Sequence, residues 1–178
     1  MSIFAALLFA SALAGTPVPA PSVIVGQPAL AFSLPAINED AALRAVARPS
    51  VALSDYTGVG AGFPAQVVVV HFVQKAGSDA QLEALNRLHK RYSNRGARFV
   101  AVVVDDSDLA TLSTWVEGLR LEFPVLRDQH KVVVGRYGVT RYPLTMIVDA
   151  RGDIDALGAP GADLETSVEA LITPFLEN

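Results

Sequence analysis

A serine beside an aspartate, three scattered histidines and one acidic run are the side chains here whose types could do chemistry. Ser78 stands where a helix is expected to begin, seven residues after His71. A serine nucleophile needs a base and a third group that orients the base. His71 is the only nearby base in sequence, and no orienting partner is visible, so capping of the helix explains Ser78 more simply. Lys75, Gly77 and Ser78 could together receive an anion at that helix start. Asp79 already occupies the favourable electrostatic position and repels one. His71, His89 and His130 lack the spacing of metal ligands. Asp105, Asp106 and Asp108 offer oxygen atoms but lack the spacing and closing glutamate of a calcium loop. Neither a metal nor a cofactor is therefore expected. One reagent is missing outright: the chain contains no cysteine. Thiol-disulfide exchange and peroxide reduction both begin from a thiolate, so this chain cannot perform either unaided.

Composition narrows the class further. The 178 residues are 51% hydrophobic and 18% charged, with a formal net charge of −4. That is a globular balance with length enough for one cored domain. No basic face of the kind nucleic acid demands is present. Residues 3–14 form an uncharged apolar run, shorter than the roughly 20 residues a spanning helix needs. Ala12-Leu13-Ala14 follows the small-x-small pattern of a signal-peptidase site. The expected organisation is a signal peptide at 1–14, a Pro/Ala-rich linker at 15–27 and one domain at 28–178. The mature protein is then periplasmic or secreted, with no stable membrane span. An uncleaved membrane anchor is the alternative.

The elements that must position these residues follow from periodicity. Residues 31–37 suggest an edge strand. Residues 38–48 suggest a short helix capped by Asn38, with acidic residues early and Arg48 late, as the helix dipole prefers. Gly58, Gly60 and Gly62 mark a loop; they precede a strand, so they are no dinucleotide fingerprint. Residues 66–73, rich in valine, read as a strand buried on both faces. Residues 79–95 carry Leu82, Leu85, Leu88 or His89, and Tyr92 at helical spacing, with Ser78 and Gln81 as a capping box and Gly96 as C-cap. A second buried strand spans 97–104. A helix with Leu109, Leu112, Val116 and Leu119 on one face follows, capped by Ser107. Residues 123–126 are short and extended, and residues 131–137 fit either a strand or a short helix. Residues 144–149 and 153–157 form a hairpin around Ala150-Arg151-Gly152. A last helix runs over about 163–173 with Leu164, Val168 and Leu171 inward, ended or kinked by Pro174. A right-handed βαβ crossover followed by a closing hairpin implies an α/β fold with a mixed central sheet and helices on both faces.

Several fragments in this order resemble the thioredoxin superfamily, in particular its TlpA/ResA-like and AhpC/TSA-type redoxins. They are Ala31-Phe32-Ser33-Leu34-Pro35, Val51-Ala52-Leu53-Ser54-Asp55-Tyr56, the strand ending at Phe72, and Val102-Val103-Val104-Asp105-Asp106. Phe123-Pro124-Val125-Leu126-Arg127-Asp128, Tyr137-Gly138-Val139, Tyr142-Pro143-Leu144-Thr145 and Asp149-Ala150-Arg151-Gly152 complete the set. The resemblance implies a thioredoxin-like three-layer sandwich with an N-terminal strand extension. It also implies a cysteine pair at the start of the helix after the first core strand. The matching positions here are Gly77 and Ala80, degenerate in both places. His71 falls where such proteins often bury an acid or amide; the residues themselves suggest a core histidine satisfied by one hydrogen bond. Pro143 matches the family's cis-proline. The backbone before that proline can pair with an extended peptide, a mode that needs no sulfur. The expected function is a cysteine-free, exported module that binds a protein or extended peptide, using Ser78, Asp79, Arg141, Tyr142 and Pro143. A redoxin acting only with a partner's thiol, and a structural subunit of an envelope complex, stay open as alternatives. In the latter, residues 38–48, longer than the usual family connection, could carry the contact.

Overall fold

The computed structural model describes residues 23–158 and 163–177. The expected signal peptide, and the linker as far as residue 22, lie outside the described residues. Strand β1 (Ser33–Pro35) pairs antiparallel with β2 (Ser50–Ala52), and helix α1 (Glu39–Val46) lies between them in sequence. The main sheet follows: β3 (Val67–Val73), α2 (Asp79–Tyr92), β4 (Ala97–Val103), α3 (Leu109–Leu119), β5 (Val125–Arg127), α4 (Val132–Tyr137), β6 (Leu144–Asp149), β7 (Ile154–Leu157) and α5 (Leu164–Leu176). Its five strands run in the order β5-β4-β3-β6-β7. β3, β4 and β5 are parallel, whereas β6 and β7 are antiparallel to their neighbours. This is the mixed sheet that the crossover and hairpin imply.

Every residue of β3 is buried. Successive side chains on a strand point to opposite faces, so a strand covered on both sides reads as a continuous apolar run. Val67, Val69 and Val73 pack with Leu82, Leu85 and Leu88 of α2, Leu112 and Val116 of α3, and Val168 and Ile172 of α5. Val68, Val70 and Phe72 pack on the other face with Val133, Val134 and Tyr137 of α4, and with Ala42 and Val46 of α1. The three-layer sandwich thus has two cores divided by the sheet.

Several local expectations are corrected. Asn38 stands at the start of α1 without a side-chain cap; its amide donates to the Phe123 carbonyl (3.0 Å) and its Oδ1 accepts from Val125 N (2.8 Å). It ties α1 to the start of β5, a tertiary demand that outweighs local capping. Ser78 does not cap α2 either, for its hydroxyl donates backwards to the Lys75 carbonyl at 3.1 Å. Asp108, not Ser107, caps α3, with Oδ1 accepting from Thr111 N at 2.8 Å. The helix therefore starts one residue later, and Leu109 is 51% exposed. Residues 132–137 resolve as helix, because buried Asp128 accepts from the N–H groups of Val132 and Val134, both at 2.9 Å. Pro174 does not end α5, which continues to Leu176. A proline so close to the C-terminus disturbs few helical bonds. Val168, Ile172 and Leu176 are the buried residues of α5, while Leu164 and Leu171 pack at the margin.

Candidate functional site

The antiparallel setting of β6 decides where the site lies. Phe72 near the end of β3 pairs with Leu144 at the start of β6. The loop leaving β3 therefore meets the loop entering β6 at one end of the sheet. The first loop carries Gly77 and Ser78 into α2, and the second carries Arg141, Tyr142 and Pro143. The Tyr142–Pro143 peptide bond is cis. Between the loops lies a groove of about 70 Å³, walled by Gln74, Gly77, Ser78, Gln81, Tyr142 and Pro143. This is room for the tip of a side chain, far below the several hundred Å³ of small-molecule sites.

The structure brings Gly77, Ser78, Tyr142 and Pro143 together at this groove, but not the other expected residues. Asp79 turns away, and its Oδ1 accepts a hydrogen bond from the Trp115 indole N–H at 2.8 Å. Arg141 is exposed and outside the groove wall, and Ala80 is exposed on α2. Gly77 has φ +74°, which is left-handed backbone suited to glycine. Ser78 is buried, and its hydroxyl is spent on Lys75. The serine is thus neither cap nor free nucleophile. Tyr142 is half-buried, and desolvation, helped by the Asp128 charge, raises its hydroxyl pKa while Lys131 opposes the rise. The phenol stays neutral at physiological pH.

Beneath the groove, His71 is wholly buried, and its Nδ1 lies 2.9 Å from Thr145 Oγ1. Its Nε2 is sealed from solvent without a hydrogen-bond partner. Burial lowers the imidazole pKa to about 4, opposed only in part by the Gln81 side chain. His71 is accordingly a neutral core histidine at pH 7 and stands behind the groove wall, not in it. Among the described residues, no group of three His, Asp or Glu side chains converges as a metal would require.

Sequence reasoning gave Thr145, Trp115 and Gln81 no role around this site. Thr145 belongs to the Tyr142-Pro143-Leu144-Thr145 fragment, but its partner His71 is 74 residues away, as Trp115 is 36 from Asp79, and no local pattern records either pairing. Gln81 was legible only as a capping partner; its position one turn after Ser78 also puts it against the groove.

The model of the AhpC/TSA family matches residues 25–157. Among curated relatives, the thiol-disulfide oxidoreductase ResA of Bacillus anthracis is 28% identical over 76 residues, covering 43% of each chain. The thiol-disulfide oxidoreductase ResA of Halalkalibacterium halodurans is 23% identical over 99 residues, covering 56% of this chain and 53% of that one. The chain thus spans about half the length, or less, of these curated relatives. Among solved structures, the thioredoxin domain of a thiol-disulfide oxidoreductase from Bacteroides vulgatus superposes with a TM-score of 0.65 at 20% identity. The match covers 85% of this chain and 100% of that one. The peroxidoxin BcpB of Mycobacterium tuberculosis superposes with a TM-score of 0.63 at 15% identity, covering 85% and 95%. At such identities the structures establish the thioredoxin-like fold. With most of its length matched by the family model, the chain belongs to the AhpC/TSA family.

Proposed function

We propose that this cysteine-free redoxin is an exported, non-catalytic module that binds an extended peptide or protein segment beside Pro143. One observation carries the reading. The main-chain N–H and C=O groups of Arg141 and Tyr142 have no hydrogen-bond partner among the described residues. β6 begins two residues later. Unpaired main chain leading into a strand is what an added peptide strand requires. The groove of about 70 Å³ then takes one small side chain of that peptide, and Tyr142 supplies aromatic contact. Export rests on the apolar run at residues 3–14 and its small-x-small end. The chain has no thiol of its own, so affinity and not turnover is the function.

The test is photo-crosslinking in the native cell with the probe at Gln74, an exposed residue of the groove wall. A control probe goes at Asp155, exposed on β7 at the far end of the β6–β7 pair. A discrete adduct from Gln74, absent from Asp155 and diminished by Tyr142→Ala, is the expected result. Adducts of equal strength at both positions, indifferent to Tyr142→Ala, would overturn the assignment.

A further inference from the structure

A larger hollow lies at the other end of the sheet. Arg98 pairs with Val68 near the start of the β3–β4 ladder, whereas Val103, five residues on, pairs with Val73 at the groove end. That separation is roughly 16 Å of strand. The hollow measures about 440 Å³ and lies among α1, α2, the loop before β3 and the start of β4. Its volume falls within the range of small-molecule sites, unlike that of the groove.

The walls are chemically mixed. The apolar part is Ala41 and Ala45 of α1 with the ring of Phe63, which is 37% exposed. The loop bearing that ring is pinned, because Phe63 N donates to the Asp55 carbonyl at 2.9 Å. The basic part is Arg44, between those alanines on α1, with Arg98 of β4 and His89 of α2. Glu122 is the one acid in the wall, and Lys90 Nζ holds it at 3.0 Å. Glu122 also feels the charge of Arg44, so a single carboxylate already held by Lys90 faces two arginines, and the wall keeps a net positive charge. The Arg44 side chain makes no hydrogen bond or salt bridge among the described residues. Arg98 is fixed in place: Nη1 donates to the carbonyls of Ser93 (2.7 Å) and Ala97 (3.1 Å), leaving Nε and Nη2 without an acceptor among the described residues.

His89 adds a directed donor. Its ring packs against Phe99 and Phe123, with centroids 5.9 and 6.0 Å away. Its Nδ1 is sealed without a partner among the described residues. Burial first, and then the charges of Arg98, Lys90 and Arg44, lower its pKa against the opposing pull of Glu122, so the ring is neutral. An orphaned buried N–H is rarer than an orphaned acceptor, so the proton belongs on Nε2. That leaves the hollow with a neutral hydrogen-bond donor beside two cations.

We propose that this hollow binds a small organic anion, with its carboxylate or phosphate between Arg44 and Arg98 and its planar apolar body against Phe63. His89 donates from Nε2 to the same ligand. The site is separate from the groove and does not depend on peptide binding there.

The chain, labelled with ¹⁵N, is titrated with benzoate and with phenyl phosphate, and with benzyl alcohol as the uncharged control. The expected result is saturable amide shifts at Arg44, His89 and Asn94 with either anion, and none at Gly77 or Ser78. The tighter of the two names the anionic group. Arg98→Gln and Arg44→Gln are each expected to weaken binding about tenfold, the worth of one charged hydrogen bond. Arg44 is exposed, so its variant tests the site even where Arg98→Gln disturbs folding. Absence of saturable shifts with both anions, an equal response to benzyl alcohol, or undiminished binding by Arg44→Gln would overturn the proposal.

Discussion

His71 on β3 and Thr145 on β6 are register partners across an antiparallel pair, and their side chains meet at 2.9 Å inside the core. This contact joins the two strands whose ends carry the two lips of the groove. It also holds the imidazole in the core, where burial disfavours its charged form and gives the protein a built-in response to acid.

The pH dependence has a definite sign. His71 has a folded pKa of about 4 against an ordinary value of 6.5. Between these values the unfolded chain binds more protons, so stability falls as pH drops through that window and is fully present above it. The loss attributable to His71 approaches about 3 kcal/mol near pH 4. Urea unfolding at pH 7 and pH 4.5 should show a steep fall that His71→Asn flattens. Equal slopes in the two proteins would remove His71 as the cause.

Gly158 guards the same contact. A Cβ at this position would stand 2.9 Å from Thr145 Cβ, while Gly158 N donates to the Thr145 carbonyl at 2.8 Å. Gly158→Ala must displace Thr145 or its own backbone, and overpacking of this kind costs about 1–3 kcal/mol. Equilibrium unfolding checks the cost, and the His71 ring resonances should shift with it. A variant of unchanged stability and unshifted His71 would mean that the strand pair yields freely.

Trp115 is the only tryptophan, so its fluorescence reports on one indole, whose N–H is held by Asp79. Asp79→Ala should move the emission maximum and lower stability by about 1 kcal/mol, the net worth of one such bond. An unaltered spectrum would show that the indole N–H is not held by Asp79 in solution.

Asp128 organises the approach to Pro143. Its two carboxylate oxygens receive the Val132 and Val134 N–H groups, and it is 2% exposed. Asp128→Ala strips both donors of their acceptor and should cost about 2 kcal/mol. Amide exchange of residues 132–142 should accelerate more than that of β3. Uniform acceleration, or none, would contradict a local role for this carboxylate.

The sequence by itself determined the layered architecture, because β3 and β4 are valine-rich runs and α2 repeats leucine at helical spacing. Such runs read as strands covered on both faces, with helices as the covering layers. It also determined the loss of thiol chemistry, which needs only the absence of cysteine. Gly96 does end the turn after α2 in left-handed backbone, but the N-caps were beyond the sequence's reach. Asn38, Ser78 and Ser107 are all suitable cap residues, yet Asn38 serves β5, Ser78 serves Lys75, and Asp108 caps in place of Ser107. A polar side chain has several partners of similar worth, and only the packed fold decides among them. The same reason explains Asp79, which sequence proximity assigns to the groove and which Trp115, 36 residues away, turns outward. The hollow at Arg44, Arg98 and His89 was likewise invisible beforehand. Its walls come from separate elements, and no spacing along the chain records that a cavity has closed around them.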